Sequence, residues 1–312
     1  MNASNDQGAY AEIVRKLEQK YAVMGQDLSS YLDGLLHADY LTYWDYIHLD
    51  TLLSLQNPKT GFPDEKVFIV YHQITELYFN LILWEIEQIA DHHALTEKFF
   101  LDRMGRIVRY FNQLTSSFEI MVDGLEKEQF LRFRMSLLPS SGFQSAQYRL
   151  IELRSTALIN LVNVAERQEM EASGDLGQMT ERLYWRSGAT ELASGKKTLT
   201  LQQFEQRYMK LFQETGMQYR NKNLQTIYRS RFPESPAVQS VLRTYDELAN
   251  VHWPLAHMKS AARYLHKAPE DIKATGGTNW QKYLPPRFQK IIFFPELWTA
   301  QEKEDWGRAA FS

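Results

Sequence analysis

The clearest periodic signal in the chain lies between residues 64 and 90. Val70, Ile74, Leu77, Leu81 and Trp84 recur at spacings of four and three, and Phe68, His72, Thr75, Phe79, Ile82, Ile86 and Ile89 repeat that rhythm one stripe over. Two adjacent apolar stripes predict a long helix buried over most of its girth. Asp64 is the expected N-cap, with Glu65 in the first turn. Similar periods predict one or two helices from Tyr10 to about Ala38, broken near Met24-Gly25, a short helical piece after Tyr43, and helices over about Thr96–Leu125, Glu126–Leu138 and Gln144–Met170. Further helices are expected over about Leu201–Thr226 and Val238–His266, the latter opened by Ser235-Pro236. Asn57-Pro58 through Pro63 and Pro139-Ser140-Ser141-Gly142 read as loop and turn, and residues 1–10 as disordered. No segment alternates with period two for long, so the fold class is all-α. The organisation reads as a single helical domain over residues 1–312, with a helical insertion at about 180–230 following a polar, glycine-containing stretch.

Composition narrows the chemistry. The 312 residues hold 35 basic and 38 acidic side chains, a net charge of −3, which favours neither nucleic acid nor an anionic membrane as partner. No apolar run approaches the ~20 residues of a membrane span, and the polar start Met1–Tyr10 is no secretory signal, so the cytoplasm is the expected compartment. Cysteine is absent, which excludes disulfides, cysteine nucleophiles and thiolate-held iron. The 7 Trp, 17 Tyr and 17 Phe serve either a large helical core or the walls around a flat ligand.

The common catalytic motifs are missing: there is no HExxH, Walker loop, GxSxG or dinucleotide fingerprint. Asp91-His92-His93 reads as a solvated helix end. Of eight histidines, only His72 and His257 fall on clearly apolar helix faces. Each is read either as a satisfied core residue or as one of two imidazoles flanking a haem, one on iron and the other across the ring. Arg134, just before a Ser-Gly turn, is either a surface helix arginine or the grip for an anionic group. The Thr275-Gly276-Gly277 turn is either only a turn or a cover that meets an ammonium or carboxylate.

Several segments together resemble the tryptophan 2,3-dioxygenase family, haem-dependent dioxygenases that oxidise indoles. They are Tyr43 to Gln56, Asp64-Glu65 with Phe68 to Leu83, and Phe133-Arg134 through Ser141-Gly142-Phe143-Gln144-Ser145 to Glu152. His257 to Leu265, Thr275-Gly276-Gly277 and Pro295-Glu296-Leu297-Trp298 follow in family order. The resemblance implies an all-helical bundle around haem b (iron protoporphyrin IX), an inserted helical hairpin and an intertwined homotetramer. It implies dioxygen insertion into the indole C2–C3 bond of L-tryptophan, giving N-formylkynurenine. By the family pattern His257 is the iron ligand, and His72 is the catalytic residue that accepts the indole N–H. Phe68, Phe130 and Leu137 would pack on the substrate. Arg134 would hold its carboxylate, with Thr275 beside the ammonium and carboxylate. Ser141, Gly142, Phe118 and Tyr148 would line the cofactor, and Tyr43, Tyr46 and Ile47 would close a neighbouring subunit's pocket.

The chain also departs from the pattern. The usual Gly-Thr-Gly-Gly is Ala274-Thr275-Gly276-Gly277, Trp280 follows it, and Phe118 and Phe130 stand where the family carries a tryptophan and, in some members, a tyrosine. Most of these differences cluster where the amino-acid end of the substrate would be covered. They motivate a second reading, a related haem oxygenase acting on a substituted tryptophan or other aromatic amino acid, by monooxygenation, in a biosynthetic pathway. A third, from another class, is a haem-binding sensor without turnover.

Overall fold

The computed structural model describes residues 3–37, 42–134, 144–187, 196–265 and 285–308. Among these the protein is built of helices, and β structure amounts to isolated bridges such as that between Val162 and Leu183. None of the described helices is long and apolar enough to cross a membrane. The chain forms two compact units, Met1–Leu55 and Gln56–Ser312.

The first unit holds α1 (Ala3–Val23), α2 (Leu28–His37), α3 (Tyr43–Tyr46) and α4 (Leu49–Ser54). Helix α1 begins at Ala3, so the start of the chain is helical rather than disordered. The break expected at Met24-Gly25 is present, and Gly25 adopts φ 66, a left-handed conformation open to a residue without Cβ. Thr42 caps α3 by accepting the Asp45 N–H.

The second unit is organised by α5 (Pro63–Ala90) and α6 (Glu97–Ser117), which pack along each other. In α6, Phe100, Met104, Ile107, Phe111 and Leu114 form one buried stripe at helical spacing, and the Thr96 hydroxyl caps the start by accepting the Phe99 N–H. Full burial of each such side chain contributes roughly 1.5–3 kcal/mol. The second stripe of α5 is likewise buried at Thr75, Phe79, Ile82, Ile86 and Ile89. Its first stripe is not: Ile74, Leu77, Leu81 and Trp84 remain open to solvent, with Trp84 57 % exposed. Asp64 does not cap this helix, because Phe62 occupies the cap position and Pro63 the first turn. The Asp64 carboxylate instead accepts the Glu126 N–H at 2.6 Å, tying α5 to the start of α8 (Lys127–Phe133).

Helix α6 ends at Phe118, and the one-turn α7 (Glu119–Asp123) follows. The stretch expected as one helix to Met170 is divided into α9 (Ala146–Ser155), two 3₁₀ turns and α10 (Arg167–Ser173). After α11 (Leu176–Glu181) and α12 (Tyr184–Ser187), α13 (Leu199–Tyr219) packs on α9 and buries Leu201, Phe204, Phe212 and Tyr219 in the main core. Helices α14 (Leu224–Arg231) and α15 (Pro236–Glu247) lead into a π-helical turn, Leu248–His252, and then α16 (Trp253–Leu265).

Two buried carboxylates, Glu85 and Glu152, are paired with arginines. The Glu85 carboxylate lies 3.3 Å from both Arg103 and Arg106 and accepts from the Tyr110 hydroxyl at 3.4 Å. Arg149 lies 3.0 Å from Glu152 and donates to the Tyr184 hydroxyl, which itself donates to Glu152 at 2.6 Å. Burial opposes the Arg149 charge, but Glu152 and Tyr184 more than offset it and push its pKa up. Such a pair specifies an arrangement more than it stabilises one, since removal of one partner strands the other in a dry site. Glu152→Leu is therefore expected to cost about 3–5 kcal/mol in urea unfolding. Arg149→Met/Glu152→Leu should recover most of that loss; equal losses for the single and double variants would refute the pairing argument.

Candidate functional site

Helix α5 places Phe68, Tyr71 and His72 within one turn. The His72 Nδ1 lies 2.7 Å from the Phe68 carbonyl oxygen, four residues back. A carbonyl can only accept, so this nitrogen carries the proton and Nε2 presents a lone pair. The Phe68 ring lies 4.0 Å from the imidazole at 33°. The His72 side chain is reachable by solvent, yet surrounding protein removes enough hydration to push its pKa down, against the Phe68 carbonyl and Glu76.

Helix α16 supplies the second imidazole. His257 Nδ1 faces the Trp253 carbonyl oxygen at 3.3 Å, again four residues back, so its Nε2 is also the free lone pair. Burial pushes His257 down to about 4, against the Trp253 carbonyl, with His72 and Arg149 adding to the fall. The helix is fastened by Ser260, whose hydroxyl donates to the Met121 carbonyl at 2.9 Å, and by Tyr264, whose hydroxyl donates to the Leu125 carbonyl at 3.3 Å.

An aromatic path joins the two histidines. Tyr71 stands edge-on to His72 and to Phe118, and Phe118 in turn lies 4.4 Å from the His257 ring and 5.2 Å from Trp253. On the other side of Phe68, Phe133 lies 5.6 Å and Phe130 6.3 Å away, and Phe130 continues to Tyr264 at 4.6 Å. Arg134 ends α8 with its guanidinium 5.7 Å from the centre of the Phe130 ring. Burial lowers its pKa, and among the described residues it has no acidic partner. Half-buried guanidinium without a counter-charge is costly in a folded chain unless an anion arrives.

The expected residues thus separate into three groups. His72, Phe68, Phe130, Arg134, Phe118 and His257 lie along connected surfaces of α5, α6, α8 and α16. Tyr148 lies on α9, its ring 5.4 Å from Phe79 and its hydroxyl donating to the Ala249 carbonyl at 2.7 Å. Tyr43, Tyr46 and Ile47 belong to the first unit, where both tyrosines are exposed. Leu137, Ser141, Gly142 and Thr275 lie outside the described residues. Sequence reasoning overlooked Tyr71, although it is the residue beside His72 and is buried between the two histidines' aromatic neighbours. Its only signal was position, one residue off the second stripe of α5.

The donor set suits a planar apolar group with an axial imidazole. Two uncharged imidazoles each keep one nitrogen lone pair, and phenyl and indole rings supply the flat walls. A model of the family described as tryptophan 2,3-dioxygenase matches residues 35–173. A tryptophan 2,3-dioxygenase of Ruegeria sp. strain TM1040 is 28 % identical over 279 residues, covering 84 % of this chain and 92 % of that protein. One from Bacillus thuringiensis subsp. konkukian is 27 % identical, over 86 % of this chain and 95 % of its own length. One from Sorangium cellulosum is 42 % identical over 125 residues, 36 % of this chain and 30 % of that protein.

The geometry fixes the sign of the pH response. The unfolded chain protonates this histidine near 6.5 and the folded chain only near 4. The contribution of His257 to stability is therefore whole above pH 6.5 and is lost as pH falls towards 4. In the apoprotein, the His257 C2–H resonance is expected to titrate near 4. An ordinary midpoint near 6.5 would show a solvated ring.

Proposed function

We propose, for a chain related over most of its length to the tryptophan 2,3-dioxygenases, that it is a haem b oxygenase. It would insert both atoms of dioxygen across the indole C2–C3 bond of L-tryptophan and release N-formylkynurenine. The observation that carries this reading is the pair of neutral, oriented imidazoles on α5 and α16, joined by aromatic rings and accompanied by an arginine without an acidic partner among the described residues. A sensor without turnover would have no use for that arginine.

In this reading His257 Nε2 would hold the iron, and Phe118, Tyr148, Ser141 and Gly142 would hold the cofactor. Haem, when bound, supplies the dioxygen chemistry that no side chain offers. The protein's part is binding, orientation and dryness. Phe68 and Phe130, with Leu137 by the family pattern, would hold the indole flat. His72 Nε2 accepts the indole N–H, and because the ring is uncharged it does so without adding a cation to an apolar slot. Arg134 takes the carboxylate as a two-pronged donor, which fixes the amino-acid end and with it the angle of the indole. By the family pattern Thr275 would serve the ammonium and carboxylate.

The exposed stripe of α5, Ile74, Leu77, Leu81 and Trp84, supports a homotetramer, since so contiguous an apolar face calls for a protein partner. Tyr43, Tyr46 and Ile47 would then reach a neighbouring subunit's pocket. Light scattering should return four chains, and a monodisperse monomer would end that part of the reading.

Reduced, haem-loaded protein incubated in air with tryptophan should give a product heavier by two oxygen atoms. A gain of one oxygen, or turnover only with a substituted tryptophan, would instead support the biosynthetic monooxygenase suggested by the departures around Ala274 and Trp280. Absence of oxygen consumption with any of these substrates would refute both. Arg134→Ala removes a partner worth ~2–5 kcal/mol, so KM should rise by roughly 30-fold or more. An unaltered KM would mean that the carboxylate is held elsewhere.

A further inference from the structure

The helix that delivers His257 is not regular. Between α15 and α16 the chain makes a π-helical turn, Leu248–His252. The sequence explains why. In an α-helix the Asn250 carbonyl would receive the N–H of residue 254, but that residue is proline and has none. The Trp253 N–H reaches back five residues to the Leu248 carbonyl instead of four to Ala249. The Ala249 carbonyl, fully buried, is thereby deprived of its helical donor.

A side chain from another helix fills that gap. The Tyr148 hydroxyl of α9 donates to the Ala249 oxygen at 2.7 Å. Burial pushes the phenol pKa well up, so the group remains a donor at any ordinary pH. Its ring packs on Phe79, and Phe79 stands edge-on to Trp253, so the same residue braces the turn laterally. Across the turn, the Asn250 amide donates to Asp246 at 2.7 Å.

One extra residue in a turn advances the phase of the helix after it by about 100°, given 3.6 residues per turn. His257 comes three residues after Pro254, and its Nδ1 faces the carbonyl of Trp253, the residue whose own N–H defines the wide turn. The direction of the His257 Nε2 lone pair therefore depends on the wide turn being held. We propose that Tyr148 is a positioning residue for His257: through its hydroxyl it locks the Pro254-induced wide turn and so aims the imidazole. The consequence for iron rests on the function proposed above; the consequence for the turn does not.

Tyr148→Phe deletes one oxygen and keeps the ring, so the fold should survive. In the apoprotein, amides of residues 249–257 should exchange with solvent roughly tenfold faster while those of α13 are unchanged, and the His257 ring resonance should move. In the reconstituted ferrous protein, the iron–histidine stretching frequency should shift and haemin should dissociate faster. In a His257→Gly background rescued with free imidazole, whose direction the helix does not set, Tyr148→Phe should leave the iron–imidazole stretching frequency unaltered. Unchanged exchange at the turn, or an equal frequency shift in the rescued background, would overturn the proposal. A parent protein that takes up no haem would sink the proposed function, while the apoprotein exchange would still decide the role of Tyr148.

Discussion

The site depends on one repeated hydrogen bond. Both His72 and His257 commit the Nδ1 proton to a main-chain carbonyl four residues earlier in their own helix. A helical carbonyl is a fixed acceptor that cannot ionise or rotate away. The bond therefore settles the tautomer, the ring plane and the direction of Nε2 together. Burial acts in the same sense, because a desolvated imidazole resists the second proton. The result is two uncharged lone-pair donors whose orientation is as rigid as the helices that carry them, which a pair of surface histidines on loops would not provide.

Helix rigidity alone does not set where those donors point, and the second unit holds its helices by polar anchors buried in apolar surroundings. Asp246 is one such anchor. Its carboxylate accepts the Phe293 and Phe294 N–H groups, the Trp298 indole N–H and the Asn250 amide. Burial pushes its pKa up to about 6 against these four donors, so at neutral pH the group is an anion held by hydrogen bonds rather than by a cation. The C-terminal segment is thereby bound to the same stretch that contains the wide turn. Arg149 works similarly from α9, its guanidinium stacked near the Tyr148 and Tyr184 rings while paired to Glu152. Each anchor is expensive to leave half-made, which makes the arrangement specific.

What could be read from the chain follows from what kind of interaction was involved. Helix α6 was legible because its apolar stripe is one-sided and its thread, Phe100 to Leu114, is buried in this chain alone. The first stripe of α5 has the same period but stays exposed, since periodicity reports an apolar face and not what covers it. Asp64 was misread as a cap because the cap preference is local, whereas its actual partner, the Glu126 N–H, is 62 residues away. His72, His257 and Arg134 were visible as chemistry on apolar or turn-adjacent positions. Tyr71 and the Tyr148 hydroxyl were not, as their roles arise only where helices cross. Pro254 was in plain view, but its effect is a register change that no hydrophobic count reveals.

The two ends of the aromatic surface differ in a way that bears on selectivity. Around Phe118 and Trp253 the neighbours are rings and a neutral imidazole. Near Phe130, the half-buried Arg134 lacks an acidic partner among the described residues and loses hydration without compensation. A flat apolar ligand without charge would leave that guanidinium unsatisfied, and an anion without rings would leave Phe68 and Phe130 wet. Under the proposed function, an aromatic amino acid, aromatic at one end and anionic at the other, would remove both costs. Under the proposed function, the phenyl rings of Phe118 and Phe130 extend the apolar part of this surface, so discrimination among indoles would fall to shape and to the acceptor on His72.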